Sequence, residues 1–151
     1  VIYMVAITST GGLVNDALVV PFTNAEAITD AGYVLALNTD GKVALCGAGA
    51  KPIGISFKST YNEASGSTET DVKVGVITLR PGTIVNVRLL ATNAAIDEND
   101  LLETAAGGTV DLKSGAGYIV GVALEARGVN AGGTAATAYI KCMLMPEYFA
   151  A

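Results

Sequence analysis

A chain of 151 residues, 51% hydrophobic and 15% charged, is sized for one domain with a sizeable core and needs neither a metal nor a disulfide to fold. Its formal net charge is −5, and its 9 Lys and Arg are scattered from Lys42 to Lys141. Phosphate binding needs clustered positive charge that releases counterions, so this distribution argues against a nucleic-acid partner. No run approaches the roughly 20 apolar residues of a membrane span, which argues against a membrane.

The charged fraction lies well under the roughly 25% of an average soluble domain, so part of the surface is expected to be covered in use. The 18 glycines fall between short Val/Ile/Leu runs, the pattern of a fold with many tight turns, and the balance favours strands over helices. In chain order, the apolar stretch 1–7 lacks the basic region and cleavage pattern of a signal peptide. Residues 1–20 find no counterpart later in the chain and are expected to form an N-terminal arm or edge strand, with Gly11-Gly12 as its hinge. The body is then a single β domain over 21–151.

Residues 33–37 lead through Asn38-Thr39-Asp40-Gly41 into 43–45, and the Asp-Gly pair tolerates the positive φ of a hairpin turn. Further on, 71–79 places Val72, Val74 and Val76 on one face, and Arg80-Pro81-Gly82 then turns the chain. Residues 83–90 continue with Val85, Val87 and Leu89 inward and Asn86 and Arg88 outward, which predicts an antiparallel pair with 71–79. The segment 93–103 could open a helix at an Asn cap, with Asp97 and Glu98 in its first turn. A short helical turn before a strand at Leu101 and Leu102 reconciles that signal with the repeat described next.

At an offset of 67 residues the chain matches itself over approximately 30–79 and 97–145. Gly41 falls on Gly108, Val43 on Val110, Leu45 on Leu112 and Gly54 on Gly121, while Ile53, Ile55 and Phe57 meet Val120, Val122 and Leu124. Matches at turn glycines and at alternate positions are those that β geometry constrains, so a duplicated unit is expected. The second unit ends with a strand at 118–125, with Val120, Val122 and Leu124 pointing one way, and a closing strand at 139–145 that stops at Pro146. In that closing strand Ile140, Cys142 and Leu144 lie opposite Tyr139, Lys141 and Met143. Two polar loops, 59–70 and 127–137, hold nearly equivalent places and are expected to be mobile and on the surface.

Little here carries chemistry. Histidine is absent, which removes Ser-His and Cys-His nucleophile activation together with the commonest metal ligand. Glu98, Asp100 and Glu103 could in principle supply a carboxylate pair, but they belong to one acidic run, which is ordinarily a solvated loop. Asp97-Glu98-Asn99-Asp100 lacks EF-hand spacing and reads as an acidic turn before a calcium site. Gly47-Ala48-Gly49-Ala50-Lys51 and Gly115-Ala116-Gly117-Tyr118 are followed by proline or a β-run where a phosphate loop needs a helix. Cys46 and Cys142 permit one disulfide without establishing it, and with no visible export signal buried free thiols are the favoured reading. No enzyme activity, cofactor or metal is expected. Ile2, Tyr3, Val5 and Ile7 at one end, with Tyr148 and Phe149 at the other, are the candidate contact residues.

Several phrases resemble those of phage head decoration proteins, also called capsid cement proteins. These are Pro52-Ile53-Gly54-Ile55-Ser56, the strand and turn Val74-Gly75-Val76-Ile77-Thr78-Leu79-Arg80-Pro81-Gly82, and Ile119-Val120-Gly121-Val122-Ala123-Leu124-Glu125-Ala126, preceded by Asp100-Leu101. The likeness spans roughly residues 25–145. With the repeat, the expected fold is all-β, a compact barrel, β-tulip-like or sandwich domain of two related units; the resemblance implies a compact barrel or tulip body seated on the exterior of a virion and made in the host cytoplasm. The implied partners are the major capsid protein and the chain's own copies, commonly as a homotrimer, with an arm reaching across neighbouring capsid subunits. The alternatives are a carbohydrate- or surface-binding β module such as a tail-fibre, pilus or adhesin domain, and, more remotely, an enzyme or a small-ligand barrel.

Overall fold

The computed structural model describes residues 3–8 and 14–149, with side chains from residue 18 to residue 147. It is all-β. The strands of the first half are β1 (Tyr3–Thr8), β2 (Val14–Thr23), β3 (Val34–Leu37), β4 (Val43–Leu45), β5 (Gly54–Ser56), the short hairpin β6 (Tyr61–Asn62) and β7 (Ser67–Thr68), and β8 (Lys73–Thr78). The second half contributes β9 (Ile84–Arg88), β10 (Leu101–Ala105), β11 (Thr109–Leu112), β12 (Gly117–Ala123) and β13 (Tyr139–Phe149). Two single 3-10 turns, Ala131–Gly133 and Ala135–Thr137, lie before β13.

The two main sheets have one topology. The first runs β1-β2-β8-β5-β3-β4, and the second, read from its far edge, runs β9-β13-β12-β10-β11. Apart from the extra β1, each strand has its counterpart, and so does the register. Leu35 faces Leu45 as Leu102 faces Leu112, and Val34 faces Ile55 as Leu101 faces Val122. Phe22 faces Val74 as Val87 faces Ile140.

Each five-strand order also closes on itself. The residue after β2, Asn24, bridges Val43 of β4, and the residue after β9, Leu89, bridges Val110 of β11, both in parallel sense. The following amides complete the closure, Ala25 N–H donating to the Val43 carbonyl at 2.8 Å and Leu90 N–H to the Val110 carbonyl at 2.9 Å. One bridge and one amide bond per unit cover part of the sheet edge that invites unwanted pairing.

Local chemistry accounts for the turns. The β3–β4 hairpin closes through Asn38 and Asp40, whose side chains both accept from the Lys42 amide, with Gly41 at φ +79°. Two residues before β3 stands Gly32 at φ +87°, and its counterpart two residues before β10 is Asn99 at φ +73°, one of the few non-glycine residues that adopts this conformation readily.

Apolar side chains divide into two clusters. Ile28, Leu35, Val43, Val74 and Val76 fill the first unit. The larger cluster joins the interior of the second unit, including Leu102, Val110, Val120, Ile140 and Cys142, to Val34, Cys46 and Ile55 from the outer side of the first. The units therefore pack as one body around a shared core.

Several expectations are corrected. Segments 71–79 and 83–90 do not pair with each other: β8 lies between β2 and β5, whereas β9 pairs β13. The Arg80-Pro81-Gly82 turn is the crossover between units, fixed where Gly82 N–H donates to the Leu144 carbonyl at 2.9 Å and Leu144 N–H to the Thr83 carbonyl at 2.7 Å. No helix or helical turn opens at Asn93. Its amide side chain instead pins the neighbouring loop, donating to the Gly128 carbonyl at 3.0 Å and accepting from Gly132 N–H at 2.9 Å.

The closing strand does not stop at Pro146 but continues to Phe149. A register shift between Ile119 and Gly121 against β13 absorbs a residue there, the setting in which a strand tolerates proline. A second shift, between Leu102 and Glu103 in the β10–β12 pairing, breaks the expected alternation of Val120, Val122 and Leu124, so Val120 is buried next to buried Ile119. β2 crosses the boundary expected at residue 20, since Val19 to Thr23 occupy in the first unit the place that β9 holds in the second. Of the two polar loops, the first carries the β6–β7 hairpin and the second the 3-10 turns.

Candidate interaction surfaces

The N-terminal hairpin is the element best suited to meet another chain. β1 has the sequence Tyr-Met-Val-Ala-Ile-Thr, without a charge, and among the described residues pairs on one side only, with β2. Residues 14–18 of β2 pair with β1 alone, because β8 engages β2 from Val19 onward. At the root of this overhang the Thr78 hydroxyl donates to the Leu18 carbonyl at 3.2 Å. About five residues of two-stranded ribbon, on the order of 17 Å at roughly 3.3 Å per residue, therefore extend past the closed unit. An uncharged edge strand offers its free amides and carbonyls to whatever strand adds to it.

Tyr3, Val5 and Ile7 lie on β1 opposite Val19, Ala17 and Asn15, while Ile2 and the Gly11-Gly12 hinge fall outside the described residues. Tyr148 and Phe149 lie at the end of β13, opposite Tyr118 and Gly117, in the second sheet. The candidate contact residues thus belong to two different sheets. Exposed apolar side chains of the body add to the surface: Leu37, Phe57, Tyr61, Ile84 and Val129. Phe57 is 53% exposed and packs its Cβ against Gly75, one strand in from β2.

The seam between the units holds a polar cluster that sequence reading missed. The Arg88 guanidinium lies 5.3 Å from the ring centres of both Tyr33 and Tyr139. It donates to the Tyr139 hydroxyl at 3.1 Å and lies 3.7 Å from the Asp30 carboxylate, to which the Tyr139 hydroxyl donates at 2.6 Å. Burial and the hydrogen bond to Asp30 push the Tyr139 phenol above its ordinary value of 10. With its charge matched and both ring faces occupied, Arg88 serves as a latch between Asp30 and Tyr33 of one unit and Tyr139 of the other. The available signal was Arg88 in the outward register of its strand, but its partners are 51 and 58 residues away in sequence.

Backbone joins the seam as well. Gly108, in the β10–β11 turn, donates to the Cys46 carbonyl at 2.8 Å and accepts from Val34 N–H at 2.7 Å. A concavity of about 140 Å³ opens between Lys51 and Pro52 of the first unit and Tyr118, Ile119, Pro146 and Glu147 of the second. That is below the roughly 300 Å³ at which small-molecule sites begin.

Asp100 accepts from Asp97 N–H at 2.7 Å, closing the acidic turn on itself, and Glu103 accepts from the Ser114 hydroxyl at 3.0 Å. Among the described residues, no group of three or more His, Cys, Asp or Glu is placed to hold a metal ion. Cys46 and Cys142 are free and buried, and burial pushes their thiols up to about 11 and about 12. Comparison with known proteins finds no matching family model and no matching curated protein.

Proposed function

We propose that this chain is a virion structural protein that decorates and stabilises the exterior of a capsid, binding the major capsid protein and its own copies. The observation that carries the reading is the N-terminal hairpin, whose uncharged edge strand Tyr3–Thr8 extends from a closed two-unit body. Such a ribbon suits strand addition to a neighbouring protein, where main-chain hydrogen bonds give affinity and side chains give selectivity. The low charge of the chain and its exposed apolar side chains fit a surface covered by neighbours. The mechanism is mechanical. Many copies bridge adjacent capsid subunits and raise the cost of rupture, and an oligomer held at one site presents its remaining sites at high effective concentration. Saturable uptake of the purified protein by undecorated shells, weakened at least about tenfold when residues 1–12 are removed, is the expected result. Equal uptake with and without the hairpin would remove the hairpin from the account.

A further inference from the structure

Because the two units share a register, the same surface can be compared in each. Across the outer side of the first unit, Val34, Ile55, Ile77 and Val19 stand in one row on four adjacent strands. The counterpart row in the second unit is Leu101, Val122, Met143 and Ile84, paired in the same order. Sequence keeps both rows apolar, but their surroundings differ. Val34 and Ile55 are 0% and 1% exposed, and with Ile77 they pack into the cluster that fills the second unit. Leu101, Val122 and Met143 are only half-buried, Ile84 is 40% exposed, and none of the four belongs to either cluster.

The receiving side shows the complementary difference. In the second unit, Val85, Val87 and Val120 belong to the cluster that holds the first unit's row. Their counterparts in the first unit, Val20, Phe22 and Ile53, remain half-buried, Phe22 and Ile53 at the margin of that unit's own smaller cluster. Among the described residues, one copy thus has a donor row without a receiver and a receiver without a donor row. The contact between its own units is head to tail, since the two related units use different faces.

We infer that the row Leu101, Val122, Met143 and Ile84 is a self-association surface, received head to tail by the first unit of a second copy of this chain at Val20, Phe22 and Ile53. The contact repeats between chains the packing that already joins the units within one chain. A head-to-tail contact of this kind builds rings when its rotation closes. The inference deepens the self-binding part of the proposed function and is independent of the capsid part.

Sedimentation of the full chain, with Ile84→Lys in the row and Val20→Lys in the receiver, tests it. The wild-type chain is expected to sediment as an oligomer. Each variant alone should weaken association at least about tenfold, because a charge then has to be buried in the contact. Mixed one to one, the variants should form a heterodimer and nothing larger, since each keeps one intact half. Ile84 is exposed, so its variant should melt as wild type does. Should Val20→Lys fail to fold, the isosteric Val20→Thr, which buries an unpaired hydroxyl in the contact, should weaken association in the same direction by a smaller factor. A wild-type monomer, or an oligomer indifferent to Val20 as row-on-row pairing would give, overturns the inference. A monomer that still saturates shells would sink this contact alone, whereas an oligomer that ignores shells would sink the capsid reading alone.

Discussion

Gly54 and Gly121 occupy the same place in the two units, and the structure supplies the reason. A methyl group on Gly54 would meet the Val76 side chain and the Ile77 carbonyl, and one on Gly121 would meet the Cys142 sulfur and the Met143 carbonyl. Backbone cannot give way as a side-chain tip can, so Gly54→Ala and Gly121→Ala should each cost roughly 1–3 kcal/mol in urea unfolding. Gly115→Ala, where nothing lies within 4 Å of the added carbon, should stay within about 0.5 kcal/mol. These paired glycines were legible in the sequence because close approach leaves a residue type behind. The buried Asn24 and Asn93 were not, because a side chain that clamps a distant loop leaves no local pattern. Asn24 donates to the Glu69 carbonyl and accepts from Val72 N–H, at 2.8 and 2.9 Å, as Asn93 does with its own loop.

Titration belongs to the same scale. Cys46, Cys142 and Tyr139 all have pKa values raised by burial, so the folded state holds protons that the unfolded chain releases first. Stability from these groups is complete below the ordinary thiol value of 9.0 and is lost as pH rises through the folded values of about 11 and about 12. Urea midpoints should therefore be unaffected by these groups from neutral pH to about 9 and fall above it. A midpoint rising between pH 9 and 11 would contradict the burial of both thiols.

Among the elements, strands with period-two alternation were readable. Val74 and Val76 are buried on one side of β8, as are Val87 and Leu89 around β9 and Ile140, Cys142 and Leu144 on β13. Partnership was harder to read, because alternation says which side of a strand is buried and not which strand lies beside it. A Pro-Gly turn between two alternating segments suggested a hairpin, yet here it carries the chain from one unit to the next. Single-residue closures such as Asn24 with Val43 leave no periodic signal at all. Among the described residues β1 pairs only with β2, and the body's own strands close without it. Removal of residues 1–12 should leave the β circular dichroism spectrum intact while weakening shell binding at least tenfold, roughly 1.4 kcal/mol or more. Loss of the folded spectrum would show the hairpin to be part of the core.

For the molecule as a whole, duplication explains how a chain so poor in charge folds into one body with apolar surface left over. The second unit supplies the cover for Val34 and Ile55, the Arg88 latch and the Gly108 stitch hold the seam, and the uncovered remainder lies on the second unit's outer row and the exposed side chains of the body. The candidate contact residues were chosen from the two ends of the sequence for their apolar character. The outer row lay hidden because its members are spread from Ile84 to Met143 and meet only once the register is known.

The most direct measurement is a binding isotherm of the labelled full chain on undecorated capsid shells, read by co-sedimentation. Uptake is expected to saturate at a fixed number of copies per shell and to yield shells more resistant to heat. Uptake that stays at background, or rises linearly without a plateau, would contradict the capsid reading.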